Sequence, residues 1–170
     1  MSYPENFKNA IVKETKRRLM EEGVIRIKRC LEHLKEDQIW HQANQNSNSV
    51  GNIILHLCGN VRQWILTGLA DQKDTRERDR EFELASRVSA EKLVEKLDEL
   101  MKEVSDYLDE MPAKILLEER NVQGFEETGL SILIHVVEHF SYHVGQITYY
   151  VKAANDIDTK YYGGVDLNKK

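Results

Sequence analysis

The stretch Gly129-Leu-Ser-Ile-Leu-Ile-His135-Val-Val-Glu-His139-Phe-Ser-Tyr-His143-Val-Gly-Gln146 decides how the rest of the chain is read. Leu133, Val136, Val137, Phe140, Val144, Ile147, Tyr150 and Val151 recur at steps of three and four, the stripe of an amphipathic helix predicted from about Gly129 to Ala154, with Asn155 as its stop. Three of the six histidines sit on this segment at i, i+4 and i+8. Residues four apart share a helix face with Cβ atoms about 5–6 Å apart, so two imidazoles there converge on one cation. Eight residues at 1.5 Å rise separate His135 from His143 by about 12 Å, too far to share an ion. One adjacent pair must be chosen.

Working outward, His56 stands in Asn52-Ile-Ile-Leu-His56-Leu-Cys, an otherwise apolar stretch in which an uncompensated imidazole is costly to bury. A metal resolves that cost. A helix predicted from near Ser49 carries Ile53, Ile54, Leu57, Val61, Trp64, Ile65 and Leu69, while Gly51, Gly59 and Gly68 lower its propensity and point to close packing. If it runs antiparallel to the histidine-rich helix, His56 faces the level of His143 and His139, with His135 a turn further away. The favoured triad is His56, His139 and His143. His135 is expected to line the pocket or back the ligands, and His33 and His41 are expected to be core histidines bonded to a carbonyl or carboxylate.

Two more helices complete the pattern. Phe7, Ile11, Leu19, Met20, Gly23, Ile27, Cys30, Leu31 and Leu34 mark one from about Asn6 to Leu34. Leu93, Leu97, Leu100, Met101, Val104, Leu108 and Met111 mark another, between an N-cap at Ser89 and Pro112. Asn44-Gln-Asn-Ser-Asn-Ser49 favours a loop, Asp71 to Glu83 reads as a long charged connection, and Asn121 and Gly124 support a short two-stranded ribbon before the last helix. The expectation is an all-α four-helix bundle forming a single domain over residues 1–170, with a polar tail from about 155.

Composition narrows the function. Of 170 residues, 24 are Lys or Arg and 29 are Asp or Glu, a net charge of −5, which argues against a phosphate-coating surface and hence against nucleic acid. The longest apolar runs fall far short of the roughly 20 residues of a membrane span, and the N-terminal residues carry no secretory pattern, so a soluble, cytoplasmic protein is expected. Cys30 and Cys58 lack metal or redox spacing and read as core thiols.

Asn52-x-x-x-His56 with Gly59, Trp64 and Gly68, followed by His139-x-x-x-His143-x-Gly145-Gln146, resembles the DinB/YfiT-like proteins, closest to a subgroup with Ser-Tyr-His-x-Gly-Gln at that position. The resemblance implies an up-down-down-up bundle, often a homodimer, with a divalent metal on His56, His139 and His143. The family often has a histidine directly before the last ligand, where this chain has Tyr142. Some relatives transfer low-molecular-weight thiols, so a thiol-dependent S-transferase is expected, with a metal-dependent hydrolase or a non-catalytic metal-binding stress scaffold as the alternatives. Three imidazoles leave a coordination position open, and nitrogen ligation suits zinc or nickel. Gln146 and Asn52, three and four residues from a ligand, are candidates for orienting it or a bound water, with a simple interhelical hydrogen bond as the equal alternative for each, and Gly145 is read as a packing position. Glu138 and Tyr142 are expected to be solvated or packed. Arg76, Arg78 and Arg80 are candidates for clamping the carboxylates of an anionic thiol, with a solvated loop as the simpler reading. Arg62 and Gln63 are expected to touch this connection, with Asp79 as a salt-bridge partner.

Overall fold

The computed structural model describes residues 2–83 and 87–169. The first long helix is built in three pieces: α1 (Tyr3–Lys16), a wider π-helical segment (Arg17–Val24) and α2 (Ile25–Leu31). It begins three residues before the predicted start, with Pro4 in its first turn, where a missing N–H costs nothing. A short helix, α3 (Glu36–Ile39), leads into the amide-rich loop. Ser49 then caps α4 (Val50–Val61): its Oγ accepts from the Asn52 backbone N–H at 3.1 Å, while the Asn52 side chain reaches back to Ser49. A π-helical turn (Arg62–Thr67) extends α4 and swings Trp64 toward the last helix.

The connection after it holds a 3₁₀ turn at Arg78–Phe82, a local order that the charge run does not announce. Ser89 caps α5 (Ala90–Glu110), which ends before Pro112. The ribbon is β1 (Glu119–Val122) against β2 (Phe125–Thr128), antiparallel, turning through Gln123 and Gly124, both at positive φ. Thr128 caps α6 (Gly129–Asn155), and Asp156 closes that helix in the left-handed conformation.

Interhelical bonds give the directions. Lys8 and Lys16 reach Asp109 while Lys28 reaches Asp98, so the first helix and α5 are antiparallel. Arg62 meets Glu103 and the Leu69 carbonyl meets Tyr107, so α4 and α5 are parallel. Gly23 faces Phe140, and Cys30 lies 3.9 Å from Thr148, so the first helix and α6 run together. The order is up-down-down-up. Its core includes Leu19, Ile27, Ile54, Leu57, Leu97, Val104, Val136 and Ile147, all fully buried. No helix among the described residues is long and apolar enough to cross a membrane.

The tail after α6 is pinned rather than loose. Tyr161 OH lies 3.1 Å from Cys30 Sγ and 2.8 Å from Thr148 Oγ1, and the Arg26 guanidinium sits over its ring. Cys30 is buried as expected, while Cys58 is half-buried.

Candidate metal centre

His56 on α4 and His139 and His143 on α6 meet on the antiparallel seam between those helices. His139 Nε2 lies 3.2 Å from His56 Nε2 and 3.2 Å from His143 Nε2. The three ligand atoms all fall within 4.8 Å of one another. Nitrogens bound tetrahedrally at about 2.05 Å are about 3.3 Å apart, so the spacing suits one ion.

Proton accounting supports the same fit. Glu81 Oε2 accepts from His56 Nδ1 at 2.9 Å, and Gln146 Oε1 accepts from His143 Nδ1 at 2.7 Å. Protonation at Nδ1 leaves Nε2 of both neutral rings as bare lone pairs, both aimed at His139 Nε2. That nitrogen carries at most one hydrogen and satisfies only one of them. His139 Nδ1 is itself buried without a partner among the described residues. A shared cation answers all three lone pairs. Burial, reinforced by the neighbouring His143, His56 and His135, holds His139 down at about 3, and burial also lowers His143, keeping imidazole in its ligating form.

Behind His56 lies a second layer. Glu81 is held by Arg76 through Nε at 2.7 Å and Nη2 at 2.9 Å. Arg76 in turn donates to Gln63 Oε1 at 2.8 Å, and Gln63 donates to Asp74 at 2.7 Å. Burial raises the Glu81 pKa, but hydrogen bonds from His56 and Arg76 outweigh it and hold the carboxyl below its usual range. Asn52 Nδ2 donates to the Glu81 carbonyl at 2.9 Å, fixing the turn that carries it. Gly59 makes room: a Cβ there would stand 2.0 Å from Glu81 Oε1. Sequence reasoning missed Glu81. Its available signals were Gly59, one turn past a ligand, and Phe82, an aromatic residue inside the charged run.

His135 does not reach the triad. Its ring stacks on Trp64 at 3.8 Å and on His139 at 5.6 Å, and its buried Nε2 has no partner among the described residues, so it forms a wall beside the ligands. Gln146 orients His143, while Asn52 acts on Glu81 rather than directly on His56.

Several expectations need correction. His33 and His41 are exposed, because they lie at the end of the first helix and at the start of the amide-rich loop instead of on an apolar face. Gly145 is not a close-packing position: among the described residues, no neighbouring helix comes within 4 Å of where its Cβ would stand. Arg62 pairs with Glu103 rather than Asp79, while Gln63 does contact the connection. Of the three arginines, Arg76 turns inward to Glu81 and lines one cavity with Arg80, which pairs with Glu77, while Arg78 lies over the Phe82 ring. Glu138 and Tyr142 are exposed, and Tyr142 OH accepts from Gln146 Nε2 at 3.1 Å.

Two solved structures share this architecture. A DinB-like protein from Bacillus cereus matches with a TM-score of 0.65 at 15% identity, covering 82% of this chain and 90% of its own. A DinB-like protein from Bacillus subtilis, YjoA, matches with a TM-score of 0.62 at 14% identity, covering 85% and 91%. At this identity the likeness is one of fold. A search of curated proteins found no match. Residues 6–162 match the model of the family described as "Protein of unknown function (DUF1572)", and the chain belongs to that family, built on the DinB-like fold.

Proposed function

We propose that the chain is a metal-dependent enzyme whose three-histidine centre holds zinc or nickel and activates a small thiol for transfer to an electrophile. The observation that carries this reading is the convergence of three Nε2 atoms with two tautomers fixed from behind. A divalent ion on three neutral imidazoles keeps its full charge and an open position, and so acts as a Lewis acid that strongly lowers the pKa of a thiol brought to it.

The surrounding residues favour a thiol over water. Glu81, the carboxylate bonded to this centre, faces Nδ1 of His56 on the far side of the ring and is neutralised by Arg76. It is not placed to take a proton from a water at the Nε2 side. A thiol, with an ordinary pKa near about 8.5, needs far less help to ionise than water does. Glu81 and Gln146 hold His56 and His143 in register, and His139 is fixed by packing between them. In the transfer itself the thiol proton leaves to solvent, sulfur forms a bond to the electrophilic carbon, and the leaving group departs with its electron pair.

The test begins with elemental analysis of protein purified without added metal or affinity tag, beside His56→Ala and His139→Ala. Near-stoichiometric metal in the wild type and its loss from both variants is the expected result. Turnover of 1-chloro-2,4-dinitrobenzene, with chloride as leaving group, is then expected to require both metal and added thiol. Ester hydrolysis without thiol would overturn the transfer reading. A wild type that holds no metal after incubation with zinc or nickel would overturn the centre.

A further inference from the structure

The α4–α6 seam has two ends, and only one is filled. Past His139 in one direction Trp64, almost fully buried, lies flat on His135, and Phe125 of the ribbon stacks on Trp64 at 6.3 Å. Phe82 and the Arg76–Glu81 pair cover the His56 side. In the other direction, one helical turn beyond the centre on both helices, a cleft of about 480 Å³ opens between the amide-rich loop and the last turns of α6. Gln146, already bonded to His143, forms part of its wall, and Ile53, one turn before His56, part of its lining. The cleft therefore opens on the same seam as the three histidines, one turn from His56 and His143.

Its lining is unusual for this chain. None of the eleven lining residues is Asp, Glu, Lys or Arg, although those four types make up 31% of the sequence. Asn46, Asn48 and Gln146 supply amides that both donate and accept, and Tyr149 and Ile53 supply apolar surface. A carboxylate entering here would leave water with no Lys or Arg in the lining to replace its hydration, His41 being the one titratable cationic side chain among the lining residues. The nearby arginines do not supply one, since Arg76 is bound to Glu81 and Arg78 lies over Phe82.

We propose that this cleft receives the organic part of the thiol and selects one that is uncharged and bears amide or hydroxyl groups. The proposal rests on the thiol-transfer reading above and replaces the arginine clamp suggested by the charge run. Gln146 joins the two functions, fixing His143 through Oε1 while its side chain, braced by the bond from Nε2 to Tyr142 OH, forms part of the cleft wall. Carboxylate-bearing thiols are disfavoured by the absence of a counter-charge, and amide-bearing thiols exchange hydrogen bonds with water for bonds to Asn46 and Asn48.

The test uses the protein loaded with Co²⁺ and follows the sulfur-to-cobalt charge-transfer absorption during titration, which reports binding without turnover. The probes are N-acetylcysteamine, uncharged with one amide, and 3-mercaptopropionate, of comparable reach but anionic. N-acetylcysteamine is expected to bind about tenfold tighter or better. In Asn48→Lys, and independently in Asn46→Lys, both on the exposed loop, the preference is expected to shrink or invert, which separates the cleft's charge from the intrinsic basicity of each thiol. Equal or tighter binding of 3-mercaptopropionate to the wild type, or a preference unmoved in both lysine variants, would overturn the proposal. If Co²⁺ stays bound and neither thiol produces the absorption, the thiol reading itself falls, and the cleft proposal with it.

Discussion

Replacing Gly59 with alanine adds one methyl group and removes no polar atom, yet it should loosen the metal centre. The new Cβ would stand 2.0 Å from Glu81 Oε1 and 2.9 Å from Arg76 Nε. Ordinary contact needs about 3.4 Å, so the carboxylate must withdraw by about 1.4 Å. The His56 Nδ1 to Glu81 Oε2 bond, 2.9 Å in the native protein, would stretch toward about 4 Å, beyond hydrogen bonding. Losing the carboxylate behind a metal-binding histidine typically weakens affinity by about 10–100-fold, or about 1.4–2.7 kcal/mol. In the opposite direction, Ala for Gly inside a helix contributes about 0.5–1 kcal/mol of stability, so the metal-free variant should keep its fold. At saturating metal the linkage relation converts the affinity loss into a thermal increment smaller by about 3–10 °C for a domain of this size. Calorimetric melts with zinc and with chelator, together with a competitive zinc titration, measure both quantities. An unchanged dissociation constant in a normally folded Gly59→Ala protein would refute the account of Glu81.

Asn52→Ala removes the side-chain half of the capping box with Ser49, leaving the backbone bond to Ser49 Oγ, and removes the bond to the Glu81 carbonyl, so it should cost about 1–2 kcal/mol in denaturant melts and weaken metal binding as well; a stability loss alone would count against its hold on Glu81. Trp64→Ala empties the plugged end of the seam and should cost about 3–5 kcal/mol, with metal stoichiometry retained by the unaltered triad. Burial pushes the Cys58 thiol up to about 12 and raises Cys30, so at pH 8 both should react with a maleimide far more slowly in the folded protein than in guanidinium; rapid native labelling of Cys58 would contradict that burial.

Much of this was legible in the sequence because helices expose their periodicity. The stripes through Leu93 to Met111 and Leu133 to Val151 locate α5 and α6, and Ser49 and Ser89 mark the starts of α4 and α5 by side-chain chemistry alone. The triad was legible for a similar reason: a four-residue step on one helix and an apolar-embedded histidine on an antiparallel partner leave few ways to converge. Glu81 was not legible. It lies 25 residues from His56 in a segment with no periodicity, and a buried carboxylate in a charged run looks like its solvated neighbours until the fold is known. The arginines misled for the same reason, since the run specifies their charge but not their direction. His33 and His41 were misread because a histidine near an apolar stripe was assigned to its face, whereas both stand where a helix ends or a loop begins.

The Arg76–Glu81 pair belongs to the connection between helices, while each of the three histidines proposed as ligands belongs to the bundle. Donor set and fine adjustment are thus carried on separate modules of the chain. Substitutions at Arg76 or Glu81 can retune how firmly His56 is held while leaving the three histidines and the apolar core of the bundle unchanged. For protein engineering the pair is a dial that can be turned while the scaffold stays fixed.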